Sequence, residues 1–227
     1  MAVVLLLVIL GLGSLRDSNT PTPVQNDNPE VQGQTTSNTE LARDVLAQLP
    51  VKGRAAKTGY SRSQFSSGWA SFDGCDVRNR ILASQLTQIE LGEDDCSVLV
   101  GVLDDPYSGN QQVFVRGEMS SSEVQIDHVV ALSDAWQKGA QALSEEDRLA
   151  FANDALNLLA VNGELNQAKG DSDAASWLPP NRAFRCQYVA RQIAVKAKYD
   201  LWVTDAESAA MNRVLAGCSE QRLPSAS

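Results

Sequence analysis

An α+β domain held by two disulfides is the fold class this sequence predicts, and three observations lead to it. Apolar stripes at i, i+4 spacing at 41–49 and 77–89, with capping signals further on, are the pattern of helices that bury one face. Between the helical segments lie short β-prone runs at 97–103, 111–116, 123–132 and 156–161, bounded by turn residues. Cys75, Cys96, Cys186 and Cys218 form an even set with no C-x-x-C pair, which favours disulfides over a zinc knuckle. Three connectivities are open; the sequence-local pairs Cys75 with Cys96 and Cys186 with Cys218 are favoured.

The domain is expected at 40–227. Residues 1–16 are almost wholly apolar and fall short of the ~20 residues of a bilayer span, so they read as an export signal or short anchor. No Lys or Arg precedes that run and no Ala-x-Ala site follows it, which a start codon placed too far downstream would explain. Residues 17–39 are dominated by Ser, Thr, Pro, Asn and Gln, too polar to offset their ordering entropy, and read as a disordered tether. Leader, tether and disulfides together predict a secreted or envelope-anchored protein. With 227 residues, 43% hydrophobic, the chain can bury one good core. A net charge of -9 argues against indiscriminate binding to nucleic acid, though a local basic strip can still hold a phosphate backbone.

The elements follow in order. Leu41, Val45, Leu46 and Leu49 predict a helix stopped by Pro50. Lys52, Arg54, Lys57 and Arg62 then form a candidate phosphate-facing strip without acids. Phe65, Trp69 and Phe72 read as core-covering aromatics. Asp76 caps a helix with the stripe Val77, Ile81, Leu82, Leu86 and Ile89, ended by Gly92. The runs 97–103 and 111–116 form a hairpin around Asp104–Asn110. A strand at 123–132 follows, then a helix through Asn153 capped by Ser144 with Asp147, a second apolar strand at 156–161, and a helix from Glu164 to Lys169 closed by Gly170. Past Pro179-Pro180, a long helix at 182–199 carries Arg182, Arg185, Arg191, Lys196 and Lys198 and no acid, a second phosphate-binding face. Thr204 with Glu207 form a capping box for the last helix.

His128 is the only histidine in the chain, so it is the only ordinary imidazole base. Hydrolysis of a phosphodiester needs a base for water and a cation for the developing charge. Asp127 can offer a carboxylate oxygen to that cation. Adjacent strand residues point to opposite faces, so both serve one site only if the strand ends or bends there. Asn157 opens the second β-run, Asn166 sits on the next helix, and Lys169 lies one turn further, able to hold a phosphate. Asp127 and Asn166 make an oxygen-only site suited to Mg²⁺ or Mn²⁺ and poor for zinc. A serine hydrolase is disfavoured, because no Gly-x-Ser-x-Gly elbow is present.

These residues resemble the HNH endonuclease pattern with asparagine in its third position. Arg62 and Phe65, Gly68-Trp69, Gly74-Cys75-Asp76 with Arg78-Asn79, Asp105-Pro106-Tyr107, Ala135-Trp136, Phe151-Ala152-Asn153-Asp154, Lys169-Gly170-Asp171 and Trp177-Leu178-Pro179-Pro180 extend the likeness from about Leu41 to Cys218. The set is similar to secreted bacterial HNH proteins related to the C-terminal domain of GmrSD restriction enzymes. The resemblance implies a ββα-metal (HNH) core embedded among helices, and an endonuclease cutting nucleic acid, DNA first. It implies that His128 is the general base, that Asp127 and Asn166 hold one divalent cation, and that Asn157 completes the catalytic set by orienting the loop around the histidine. Lys169 and Asp171 would lie against the phosphate or behind the metal ligands. Where such proteins commonly carry proline after Asp-His-Val-Val, this chain has Ala131, which alters the bend rather than the chemistry. The competing reading is an inactive nuclease-like domain that binds nucleic acid or an extracellular partner. No obligate protein partner is inferred, and the apolar leader is a candidate membrane tether.

Overall fold

The computed structural model describes residues 40–117 and 122–224; the leader and tether expected at 1–39 lie outside the described residues. Among the described residues no helix is long and apolar enough to cross a membrane. Helix α1 (Ala42–Leu46) keeps only the middle of the predicted segment. Two short strands, β1 (Ser71–Phe72) and β2 (Cys75–Asp76), pair antiparallel about Asp73-Gly74, both at positive φ (52° and 79°), as a tight hairpin turn requires.

Helix α2 (Val77–Gln85) starts as predicted, with the Asp76 carboxylate accepting the Asn79 N–H. Its end corrects the sequence reading. Leu86 is already extended (φ -94°, ψ 151°) and the chain continues as strand β3 (Thr87–Leu91), because Thr87, Ile89 and Leu91 also alternate and tertiary pairing decides between the two periods. β3 pairs with β4 (Val98–Asp104), which pairs with β5 (Gln111–Val115), so the predicted hairpin is part of a three-stranded antiparallel sheet. Gly101 makes this docking possible: a Cβ there would lie 2.7 Å from Cδ2 of Leu86. The Cys75–Cys96 disulfide joins β2 to the β3–β4 loop.

Strand β6 (Val124–His128) pairs antiparallel with β7 (Leu158–Asn162) in regular register, Asp127 opposite Leu159 and His128 opposite Leu158. The long connection between them holds α3 (Leu132–Trp136) and α4 (Glu145–Asn153), the latter capped by Ser144 accepting the Asp147 N–H. A 3-10 turn takes up Ala155–Asn157, so the second strand starts later than expected. Helix α5 (Gly163–Lys169) follows β7 directly and ends at Gly170 (φ 56°). A 3-10 turn over Arg182–Phe184 precedes α6 (Arg185–Lys198), and α7 (Asp205–Leu215) begins with the predicted Thr204–Glu207 capping box. The Cys186–Cys218 disulfide ties the start of α6 to the chain just past α7, so both bonds follow the sequence-local pairing.

β7 is buried on both faces, which explains its unbroken apolar run. Leu159 and Val161 pack with Val129, with Tyr188, Val189 and Ile193 of α6, with Leu46 of α1 and with Met211 of α7. Ala160 packs with Leu82, Leu103, Phe114 and Val124 beneath the three-stranded sheet, and Leu158 with Val77 and Ile81. A fourth cluster joins Phe65, Leu132, Trp136 and Phe151. Of the three aromatics read as core-covering, Phe65 is in that core, while Phe72 is exposed beside Arg80.

Candidate active site

The end of β6 and the start of the loop after it form one wall of a cleft of about 240 Å³ lined by Tyr60, Arg62, Asp127, His128, Asn166 and Asp171, among others. The strand does not bend at Asp127-His128, since its pairing with β7 stays regular through His128. Asp127 and His128 are the last two residues of β6, and both line the cleft.

His128 is almost fully buried, and its Nε2 lies 2.8 Å from the carbonyl oxygen of Ala152. A carbonyl only accepts, so Nε2 carries the proton and Nδ1 keeps its lone pair. The ring lies parallel to Trp69, 10° between planes and 5.6 Å between centroids, which limits its rotation. Burial pushes the imidazolium pKa down to about 4; the Ala152 carbonyl opposes this, and the positive charges of Arg62 and Lys169 add to it. At neutral pH His128 is therefore a neutral imidazole in a fixed tautomer.

Asp127 is held from two sides. Its Oδ1 accepts from Nζ of Lys169 at 2.8 Å and its Oδ2 accepts from the Tyr107 hydroxyl. Burial pushes its carboxyl up, and the Lys169 ammonium pulls it back. Lys169 also donates to the His128 carbonyl at 2.8 Å and is only 1% exposed. This corrects the expectation of a phosphate-holding lysine: the α5 register that places Lys169 one turn past Asn166 turns it into the core, where it neutralises Asp127.

Asn157 is fully buried and clamps the two residues after His128. Its Oδ1 accepts the Val130 N–H at 2.8 Å, its Nδ2 donates to the Val130 carbonyl at 3.3 Å, and its own carbonyl accepts the Val129 N–H at 2.8 Å. Asn166 donates through Nδ2 to Oε1 of Gln125 at 2.9 Å, which orients the amide and leaves Oδ1 as an acceptor on a cleft residue. Asp171 accepts from Lys57 at 3.0 Å and Ser133 at 2.9 Å, and these hold its carboxyl below the usual range. Arg62 makes no ion pair among the described residues, so its charge is open to the cleft.

The second basic face does not reach this cleft. Arg191 donates to the carbonyls of Leu156 and Ala155 and is spent on the 3-10 turn before β7. Lys196 is fully buried beside Glu207 at 3.0 Å and Asp134 at 3.5 Å. It belongs to a buried ionic cluster in which Lys138 meets Asp134, Asp173 and Glu207 at 2.6–2.7 Å and Arg54 meets Asp134 and Asp173. Arg54 and Lys57 of the first strip are likewise paired with acids. Arg182 and Arg185 line a separate pocket. Sequence reasoning missed Trp69, Tyr107 and the Ala152 carbonyl as partners of the site. Trp69 was visible as a core-covering and family-like aromatic and Tyr107 as a family-like residue, and a backbone carbonyl leaves no side-chain signal.

Residues 76–214, more than half of the chain, match the family described as GmrSD restriction endonucleases, C-terminal domain. A protein of Arthroderma benhamiae described as an uncharacterized secreted protein is 36% identical over 202 residues, covering 88% of this chain and 92% of that one. That relative is fungal, whereas the sequence resemblance pointed to bacterial members. No solved structure matches. With every cleft-lining residue but Tyr60 and Arg62 inside the matched span, the chain belongs to the GmrSD restriction endonuclease C-terminal domain family.

Proposed function

We propose that the protein is an extracytoplasmic, metal-dependent endonuclease of HNH type, with the β6–β7–α5 unit as its ββα core and DNA as its first substrate. The observation that carries this is His128, a buried neutral imidazole whose tautomer is set by Ala152, on a cleft shared with Asn166 and the unpaired cation Arg62. In this reading Nδ1 of His128 takes a proton from the attacking water, and Nε2–H stays on the Ala152 carbonyl while charge builds on the ring. Trp69 keeps the ring plane, Asn157 fixes the chain after it, and Arg62 meets a phosphate oxygen. Asn157 acts through the loop and is a positioning residue.

The donor chemistry fits a small hard cation. Asp127 has spare lone pairs beyond its bonds to Lys169 and Tyr107, and the Asn166 amide oxygen is free of its Gln125 contact. Asp127 and Asn166 would hold Mg²⁺ or Mn²⁺, with water completing the shell. Such an ion neutralises charge that develops on the phosphate. The disulfides suit an oxidising compartment, and the fungal relative's description as secreted supports the same placement.

One observation favours a second reading, a nuclease-like domain that binds without cutting: the Asp127 carboxylate is already engaged by an ammonium and a hydroxyl. A metal titration on plasmid DNA and on RNA separates the two. Nicking that needs Mg²⁺ or Mn²⁺ and stops in EDTA supports the enzyme, whereas labelled DNA bound with no turnover at any metal concentration supports the binding domain.

A further inference from the structure

We propose that Arg182, Arg185 and Arg213 form an exosite that grips phosphates of the nucleic acid being cut, away from the cleft. The inference rests on the nuclease reading above and names a second contact surface for the same substrate. These three guanidiniums line a pocket of about 540 Å³ whose floor is apolar, with Ala174, Leu178 and Val214. No carboxylate lines it, although the chain as a whole carries a net charge of -9. Arg185 is steadied by its Nε donating to the Pro179 carbonyl at 2.8 Å, which leaves the rest of its fork for a ligand. Arg182 and Arg213 make no ion pair among the described residues.

The pocket is built on a fixed frame. Arg185 opens α6 and Arg213 lies in the last turn of α7, and the Cys186–Cys218 disulfide joins those two places. Guanidinium forks match phosphate oxygens in pairs, and an aliphatic floor suits the faces of sugar and base. One short segment of chain joins the linings of the pocket and the cleft. Gly170 and Asp171 line the cleft, and Ala174 and Ala175 line the pocket. From Asp171 to Ala174 the backbone can span at most about 11 Å at ~3.8 Å per residue, roughly three steps of ~3.4 Å along a nucleic acid strand. An oligonucleotide of a few nucleotides is long enough to reach from one lining to the other.

The test is fluorescence anisotropy of a labelled oligonucleotide against the full chain, in EDTA, over a series of KCl concentrations. Arg182→Gln/Arg213→Gln is expected to weaken binding roughly tenfold or more and to reduce the slope of log K against log salt by about 1.4–1.8, two contacts at ~0.7–0.9 each. Arg43→Gln, on the exposed face of α1, is the charge control and keeps the wild-type slope. Thermal melts of each variant show that loss of binding is not loss of fold. An unchanged affinity and slope in the double variant overturns the exosite, as does a wild-type protein that binds oleate or an acidic peptide in place of the oligonucleotide. His128→Ala keeps the wild-type slope if the exosite is real. If that variant cuts as wild type does, the cleft reading falls while the exosite stands on its binding data.

Discussion

Replacing Lys169 by methionine isolates the interaction on which the cleft wall depends. The ammonium is 1% exposed and serves two acceptors, Oδ1 of Asp127 and the His128 carbonyl, both at 2.8 Å. Methionine fills similar space but leaves a buried carboxylate with the Tyr107 hydroxyl as its remaining partner. Breaking a buried pair from one side costs about 3–5 kcal/mol, because the surviving charge is uncompensated. For a domain of this size that lowers Tm by on the order of 10 °C. The sign of the pH dependence follows. Without Lys169, burial is opposed only by the Tyr107 hydrogen bond and raises the folded pKa of Asp127 further above the unfolded value, so the native state holds the extra proton and the loss of stability grows as pH rises from acid toward neutral. Urea unfolding of wild type and Lys169→Met at pH 4.5 and 7.5 measures this, and Asp127→Asn added to the variant restores much of the loss. A Lys169→Met protein as stable as wild type at pH 7.5 refutes the buried pair and its consequence that Lys169 cannot hold phosphate.

Three further predictions concern the same cleft. Because His128 is neutral with a folded pKa of about 4 against 6.5, the unfolded chain binds more protons between those values, so stability falls with acidification across that window by about 3 kcal/mol; urea titrations in chelator at pH 7 and pH 4 read it, and His128→Gln abolishes it. Asn157→Ala strands the buried N–H and C=O of Val130 and costs about 2–4 kcal/mol, with cleavage falling more than substrate binding, a split that mere destabilisation does not give once both proteins are folded at the assay temperature. Trp69→Ala removes a stacked partner with a contribution of about 0.5–1.5 kcal/mol and frees the imidazole to rotate, so kcat drops while KM stays near wild type; an unchanged kcat shows that Trp69 does not hold the ring.

Much of the frame was legible because local chemistry and global fold agree at those points. The Asp76, Ser144 and Thr204 caps, the Gly170 stop and the sequence-local disulfides all rest on short-range signals, and each occurs where its signal lies. The 86–91 stretch misled because its apolar residues satisfy a helical and an alternating period at once, and only pairing with β4 selects the strand. The cations misled for a different reason. Lys169, Arg191 and Lys196 look like surface charges in a sequence, and their inward placement depends on Asp127, Leu156 and Glu207, which lie 42, 35 and 11 residues away. Asp134 and Lys138, at i and i+4, were the one local hint of the buried ionic cluster. Asp127, His128 and Asn166 stand out in the sequence and line one cleft, but their setting was not legible: the hydroxyl of Tyr107 and the carbonyl of Ala152 and ring of Trp69 reach Asp127 and His128 across the fold.

The central claim is that His128 is the base of a phosphodiester hydrolase, and single-turnover cleavage of a labelled DNA duplex tests it most directly. With protein in excess and Mn²⁺ present, His128→Ala is expected to cut roughly 10²–10⁴-fold more slowly than wild type, the range for loss of a positioned general base, while binding the duplex with similar affinity. Equal rates in the two proteins would contradict it.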